Sequence, residues 1–180
     1  MKIVKIILGS VAAALAVILI AGLFVRKDYA VQKEITIDRS RPEVFAFVKL
    51  LKNQDRYSVW AQLDPAMKKE YRGTDGTVGF VSGWHSQNEN VGRGEQEIIQ
   101  IQEDKRLDFE LRFFEPFEAT DRAYMITEDA GEKKTRVIWG FEGSMPYPMN
   151  LMLLFMNMEE MLGGQLKTGL ENLKRELEKN

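Results

Sequence analysis

The sequence predicts an α+β protein in which a curved antiparallel sheet wraps on a long C-terminal helix, preceded by an N-terminal transmembrane helix. Three patterns support this class. Residues 6–25 form an unbroken apolar run, residues 67–145 mostly alternate between polar and apolar side chains, and residues from about 148 to 179 are apolar at every third or fourth position. The predicted boundaries are a membrane anchor at residues 1–27 and a folded domain at residues 28–180.

The apolar run from Ile6 to Val25 contains one polar side chain, Ser10. As a helix it would be roughly 30 Å long, which is about the hydrocarbon thickness of a bilayer. A cleaved signal peptide is the alternative, but the run is long for one and the cationic pair Arg26 and Lys27 follows it directly. We therefore expect a single-pass membrane protein. Cationic residues flank both ends, so the charge rule leaves the side of the soluble domain open.

The segment after the anchor predicts a strand and then short helices. VQKEITIDRS alternates like a strand, and Ser40 with Glu43 three residues later forms a capping box before the apolar positions of a short helix. A second short helix or turn is expected to stop at Pro65. About six strands then follow as an antiparallel meander, among them RLDFELRFFEP, whose apolar residues lie on one face.

The tail predicts one long amphipathic helix of up to about 48 Å. Gly163 and Gly164 lie in its middle, where glycine is costly, so a kink is expected there. Six methionines lie between positions 145 and 161. They suit ordinary filling of a helix–sheet interface, an adaptable wall for a lipid-like ligand, or a segment that dips into the bilayer interface.

Composition excludes several classes of function. The 180-residue chain has no cysteine and one histidine, which excludes disulfides, thiolate catalysis and a metal site built on several histidines of one chain. A formal charge of −2 gives no basic excess, so nucleic-acid binding is not expected. No metal, cofactor or catalytic set is predicted, and the oligomeric state is left open.

Six sequence segments, taken in their order along the chain, resemble those of a known family. They are ITIDRSRPEVFAFV, YSVWAQLDPAMKKEY, DGTVGFVSGWHS, VGRGEQEI, TRVIWGFEGSM and GLENLKRELE. Over roughly residues 31–179 the chain resembles the SRPBCC (START/Bet v1-like) superfamily, of the polyketide cyclase/dehydrase and lipid-transport type. The resemblance implies a helix-grip fold with a deep cavity between the sheet and the C-terminal helix, used mostly for apolar small molecules. Some members are cyclases or hydratases.

Candidate catalytic residues are few. His85 has a suitable intrinsic pKa for a general base, but no motif supplies an orienting partner, and alternation with Trp84 places it at a solvent-facing strand end. The surrounding asparagines and glycines predict a turn. A cavity carboxylate acting as acid or base is the other option, with four candidates: Glu95, Glu97, Glu110 and Glu142.

The candidate ligand-binding residues are apolar side chains expected to line the cavity, where core and ligand wall are partly the same. They are Trp60, Phe80, Trp84, Phe109, Leu111, Phe113, Trp139, Phe141, Met152, Phe155 and Met156. The sequence therefore predicts a membrane-tethered binding module for an apolar small molecule or lipid. The alternatives are a cyclase- or hydratase-like enzyme that uses a cavity carboxylate or His85, and an interaction domain with a filled core.

Overall fold

The structure is a computed structural model that describes residues 2–179. The helices are α1 (Lys2–Gly22), α2 (Arg41–Val48), α3 (Val59–Leu63) and α4 (Met158–Glu178), with 3-10 helices at Leu51–Arg56 and Met149–Leu154. The strands are β1 (Asp28–Ile37), β2 (Lys68–Arg72), β3 (Val81–His85), β4 (Arg93–Gln102), β5 (Arg106–Glu115), β6 (Ala119–Asp129) and β7 (Thr135–Ser144).

The strands form one seven-stranded sheet in the order β1-β7-β6-β5-β4-β3-β2. From β2 to β7 each strand pairs antiparallel with the next one along the chain, as expected of a meander whose strands are joined by short turns. The first strand closes the order beside the last one. The predicted class, a curved antiparallel sheet with a long C-terminal helix, is confirmed.

Helix α4 packs on one face of the sheet, which we call the inner face. Leu166, Leu170 and Leu173 are buried along this side of α4, four and three residues apart, as the helical period requires. Contacts at both ends of α4 hold it along β1. Lys33 pairs with Glu159 near its start, and the Glu178 carboxylate accepts the Asp38 N–H at 2.6 Å near its end.

The prediction of one helix from residue 148 onward was wrong in its first part. The chain forms a 3-10 helix at Met149–Leu154, breaks, and begins α4 at Met158. Helix α4 itself runs as one continuous helix through both glycines. Gly163 serves packing, because a Cβ there would lie 2.7 Å from the Cε atom of Lys33 and 3.3 Å from Val31.

The start of α2 differs from the predicted capping box. Ser40 is the N-cap residue, but its side chain makes no capping hydrogen bond. Glu43 turns to Arg39, whose Nε lies 3.3 Å from its carboxylate. The predicted start of the helix is therefore correct, but the two side-chain hydrogen bonds of a capping box do not form.

The chain divides into two compact units. The first unit joins residues up to Tyr29, including α1, with Ser144–Met158. Within it, the Met145 N–H donates to the carbonyl of Lys27 at 2.9 Å. The second unit contains Ala30–Gly143 and the chain from Glu159 onward, and so holds most of the sheet and α4.

Candidate ligand-binding site

The inner face of the second unit is packed at one end. Strand register places Phe109 between Ile98 of β4 and Ala123 of β6, and places Leu107 beside Met125. All five side chains are buried, and three of them are completely closed to solvent. Alternation along each strand brings these residues to the same face, where they form the core beneath α4.

The other end of the inner face is apolar but half-open. Trp84, Gly94 and Phe113 lie opposite one another on β3, β4 and β5. The rings of Trp84 and Phe113 meet edge to face at 5.9 Å. Both side chains are only half-buried, as are Leu111 and Phe141. Large apolar groups that keep contact with solvent within a concave face are typical of ligand-binding walls.

Two polar residues flank this half-open end. Leu111 of β5 lies between Gln96 of β4 and Asp121 of β6 in the strand register. Gln96 and Asp121 are buried on the inner face, although glutamine and aspartate are mostly exposed in folded proteins. Polar groups beside an apolar wall can orient a ligand that has one polar end.

An aromatic cluster joins the inner face to the segment around α3. Trp139 of β7 meets Tyr57 at 5.6 Å and Trp60 at 6.2 Å, both edge to face. Tyr57 is fully buried, its hydroxyl lies 3.7 Å from the sulfur of Met125, and burial raises the pKa of this phenol. Because Trp139 lies beside Met125 in the strand register, the cluster extends the packed end of the inner face.

The structure brings together eight of the eleven candidate ligand-binding residues within the second unit. Phe80, Phe109 and Trp139 are buried there, and the half-buried members are Trp60, Trp84, Leu111, Phe113 and Phe141. The other three belong to the first unit. Met156 is half-buried, Met152 is exposed, and Phe155 has 88% of its surface accessible to solvent.

His85 lies exposed at the last position of β3, as alternation with Trp84 predicts. Its partners in the strand register are Lys68 and Arg93, whose side chains share the outer face. Two cations beside an exposed imidazole do not supply the carboxylate that orients a catalytic base.

The four glutamates offered as cavity carboxylates lie on the outer face, so those assignments were wrong. Arg112 pairs with three of them: its Nε lies 2.7 Å from Glu95, its Nη2 2.7 Å from Glu97 and its Nη1 2.6 Å from Glu110. The fourth, Glu142, is exposed opposite Arg122. Partial burial raises the pKa of Glu95, but hydrogen bonds from Arg72 and Arg112 outweigh it and lower the pKa overall. This cluster is an ion-pair network on the back of the sheet.

A separate cleft of about 310 Å³ lies at the opposite ends of β5 and β6. It is lined by Arg41, Gln102, Lys105, Arg106, Ile126, Thr127, Glu128 and Asp129. Most of this lining is charged or polar, and Arg41 already pairs with Asp129 at 3.3 Å. The cleft is therefore a poor match for an apolar ligand.

Residues 29–178 match the family model described as polyketide cyclase/dehydrase and lipid transport. The chain belongs to this family. The match begins at the second residue of β1 and covers the rest of the sheet and the whole of α4. No curated protein matches the sequence significantly.

Solved structures show the same fold at low sequence identity. Truncated norcoclaurine synthase from Thalictrum flavum is 11% identical, with a TM-score of 0.62 over 87% of this chain and 97% of that one. The Mll3558 protein from Rhizobium loti is 20% identical, with a TM-score of 0.59 over 83% and 96%. A protein from Nitrosospira multiformis is 16% identical, with a TM-score of 0.58 over 83% and 96%. These likenesses establish the family fold.

Asp121 is the site residue that the sequence reasoning missed. In ATDRAYMITED it lies on the same strand face as Ala123, Met125 and Thr127, all of which are buried with it. Side chains two positions apart on a strand share a face, so this pattern identifies an inward carboxylate, whereas Glu110 lies between the inward-facing Phe109 and Leu111 and therefore faces outward. Among residues 2–179, no group of three or more His, Cys, Asp or Glu side chains is arranged to hold a metal ion.

Proposed function

We propose that this family member is a membrane-tethered binding module that holds an apolar small molecule or lipid between the inner face and α4. The single observation that carries the proposal is the half-open apolar wall at one end of the inner face. Trp84, Leu111 and Phe113 retain solvent contact there, whereas Ile98, Leu107 and Phe109 at the other end are closed to solvent. Binding would gain about 25 cal/mol for each Å² of apolar surface buried.

The two flanking polar groups support a ligand with one polar end. Gln96 offers both a donor and an acceptor, and Asp121 offers a carboxylate, on either side of Leu111. An apolar body against the aromatic wall and an uncharged polar end at these groups match a lipid or a quinone-like molecule. Such a ligand needs no covalent chemistry from the protein.

The tether is supported by α1. Its 21 residues are long and apolar enough to cross a bilayer, and its apolar stretch has no buried residue. A signal sequence near the N-terminus would show the same features. The length of the run and the cationic pair after it favour the anchor.

Native mass spectrometry of the full chain, released gently from detergent, tests the proposal by detecting a bound apolar molecule. Leu111→Trp fills the half-open wall and is expected to reduce the bound fraction severalfold. The matched control is Arg122→Trp, which places the same side chain at an exposed outer-face position on the neighbouring strand and should leave binding unchanged. Absence of any bound molecule from the wild-type chain, or equal binding by both variants, counts against the proposal.

A cyclase- or hydratase-like enzyme is the second candidate, and the buried carboxylate of Asp121 is the observation that favours it. Such a group can act as a general acid or base when it lies within reach of a bound substrate. Asp121→Asn distinguishes the two functions in the same experiment. A binding module retains the same molecule in both proteins, whereas an enzyme variant accumulates a substrate whose mass differs from that of the wild-type adduct.

A further inference from the structure

The 3-10 segment after β7 is fastened to the end of α1 within the first unit. The side-chain amide of Asn150 donates to the carbonyl of Gly22 at 2.8 Å and to that of Val25 at 3.0 Å. Asn150 is completely buried. Gly22 is the last residue of α1 and Val25 lies three residues beyond it, so the Asn150 amide spans the turn that follows the apolar helix. Leu151 packs so closely on Gly22 that an added Cβ would lie 3.0 Å from its Cγ.

This attachment leaves a cluster of large apolar side chains exposed, which we call the interfacial patch. It consists of Leu23, Phe24, Met149, Met152, Leu154 and Phe155. Phe24 has 86% of its surface accessible and Phe155 has 88%, values at which each ring lies almost entirely in solvent. So many exposed large apolar side chains on two attached segments are uncommon on soluble proteins and indicate a surface that another apolar phase covers.

The covering phase is identified by continuity with α1. The patch begins at the residue that follows this helix, and Arg26 and Lys27 lie exposed directly after it. Where an apolar helix leaves the hydrocarbon region, the interface favours aromatic rings together with cationic side chains that reach the headgroups. The segment that follows α1 contains both, with the aromatic Phe24 close to the cationic Arg26 and Lys27.

We propose that the interfacial patch inserts into the headgroup–acyl boundary of the same bilayer that α1 crosses. The inference rests on the membrane anchor of the proposed function. Asn150 acts as the positioning residue, because it fixes the segment that carries Met152 and Phe155 to the carbonyl end of α1. The protein would thus contact the bilayer in two ways, through the spanning helix α1 and through the interfacial patch at its surface.

Site-directed spin labelling tests this in the full chain, reconstituted in nanodiscs of phosphatidylcholine and phosphatidylglycerol. The chain has no cysteine, so each introduced cysteine is labelled uniquely. Three positions are compared: Phe155→Cys on the patch, Leu15→Cys in the middle of α1, and Glu171→Cys on the exposed side of α4. The ratio of collision with oxygen to collision with a water-soluble nickel complex reports whether each label lies in lipid.

The expected result is a ratio at positions 15 and 155 severalfold above that at position 171. A label in lipid at position 15 and in water at position 155 overturns insertion of the interfacial patch but remains consistent with α1 as a membrane anchor. A label in water at position 15 overturns both. Asn150→Ala is expected to move the label at position 155 toward water while the label at position 15 stays in lipid, and Met152→Cys gives a second reading of the patch without altering Phe155.

Discussion

Gly169 of α4 lies directly against the indole of Trp139, so that an added Cβ would stand 2.7 Å from the ring atom Cζ3. The ring has little freedom to yield, because Tyr57 and Trp60 pack edge to face against it. This contact sets the closest approach of α4 to the inner face. The absence of a side chain at one helical position therefore fixes the geometry of the space in which we place the ligand.

The two glycines of α4 at positions 169 and 164 should respond to alanine in opposite directions. Gly169→Ala forces the helix or the indole to shift and is expected to lower the free energy of unfolding by about 1–3 kcal/mol, as overpacking does. Gly164→Ala meets nothing within 4 Å and is expected to raise it by about 0.5–1 kcal/mol through helix propensity. Thermal unfolding in mild detergent measures both changes. Stabilisation by both alanines would show that the contact with Trp139 does not limit the approach of α4.

Arg112 is expected to hold the outer face of the sheet together at neutral pH. The Arg112 guanidinium pairs with Glu95, Glu97 and Glu110. Arg112→Met removes this shared cation and leaves the three carboxylates close together. Because all four groups keep some solvent contact, the expected loss of stability is modest, about 1–2 kcal/mol. Arg112→Lys should recover part of the lost stability because it restores the positive charge. The recovery should be incomplete, because an ammonium cannot bind three carboxylates in the planar geometry of a guanidinium.

The cost of Arg112→Met should shrink as the pH falls. The pKa of Glu95 is lowered in the folded chain, so its contribution to stability is present above the unfolded pKa of about 4.3 and is lost as the pH falls through the folded value. Once protonated, Glu95 neither attracts Arg112 nor repels the neighbouring carboxylates. Urea unfolding of the wild type and the variant at neutral pH and at about pH 3 measures this. A difference in unfolding free energy that stays constant over this range contradicts the assignment.

Asn172 ties α4 to the segment that carries Trp60. Its buried amide donates to the carbonyl of Tyr57 at 3.1 Å and to Oε1 of Gln62 at 3.3 Å. Asn172→Ala leaves a buried backbone acceptor without this donor and is expected to cost about 1–3 kcal/mol. The control is Glu171→Ala, an exposed neighbour on the same helix, which should change stability by no more than about 0.5 kcal/mol. Equal effects of the two alanines would mean that the amide contributes nothing beyond helix propensity.

The sheet was predictable because its information is local. Alternation in RLDFELRFFEP assigns Phe109 and Phe113 to one face and Arg112 to the other, and the register of the neighbouring strands follows from the short connections. The same alternation predicts that the side chain of Asp121 points inward and that of Glu110 points outward. By the same period Glu142 lies on the face opposite Trp139 and Phe141, so the strand pattern itself disfavours both of these glutamates as cavity carboxylates.

The tail shows what local patterns leave out. Apolar residues recur at helical spacing from Leu151 onward, so the period alone predicts a continuous helix. The chain breaks before Met158 instead, and Asn150 makes its hydrogen bonds with carbonyls of residues 22 and 25. Likewise, Gly163 is a weak helix former by propensity, yet its lack of a side chain lets the Lys33 side chain and Val31 lie close against α4. Contacts between residues more than a hundred positions apart decide both features, and no local period encodes them.

The three tryptophans should respond differently to a ligand in the proposed site. Trp84 is half-buried beside Phe113 at the open end of the inner face, while Trp139 is only 5% exposed within the packed cluster. Trp60→Phe with Trp139→Phe leaves Trp84 as the sole indole, and Trp60→Phe with Trp84→Phe leaves Trp139. Because bromine quenches indole fluorescence at contact distance, a brominated long-chain alcohol is expected to quench the first variant severalfold more than the second, with saturation as the site fills. The unbrominated alcohol should restore the emission by competition. Stronger quenching of Trp139, or quenching that rises linearly without saturation, would place the alcohol elsewhere on the protein or in the surrounding detergent.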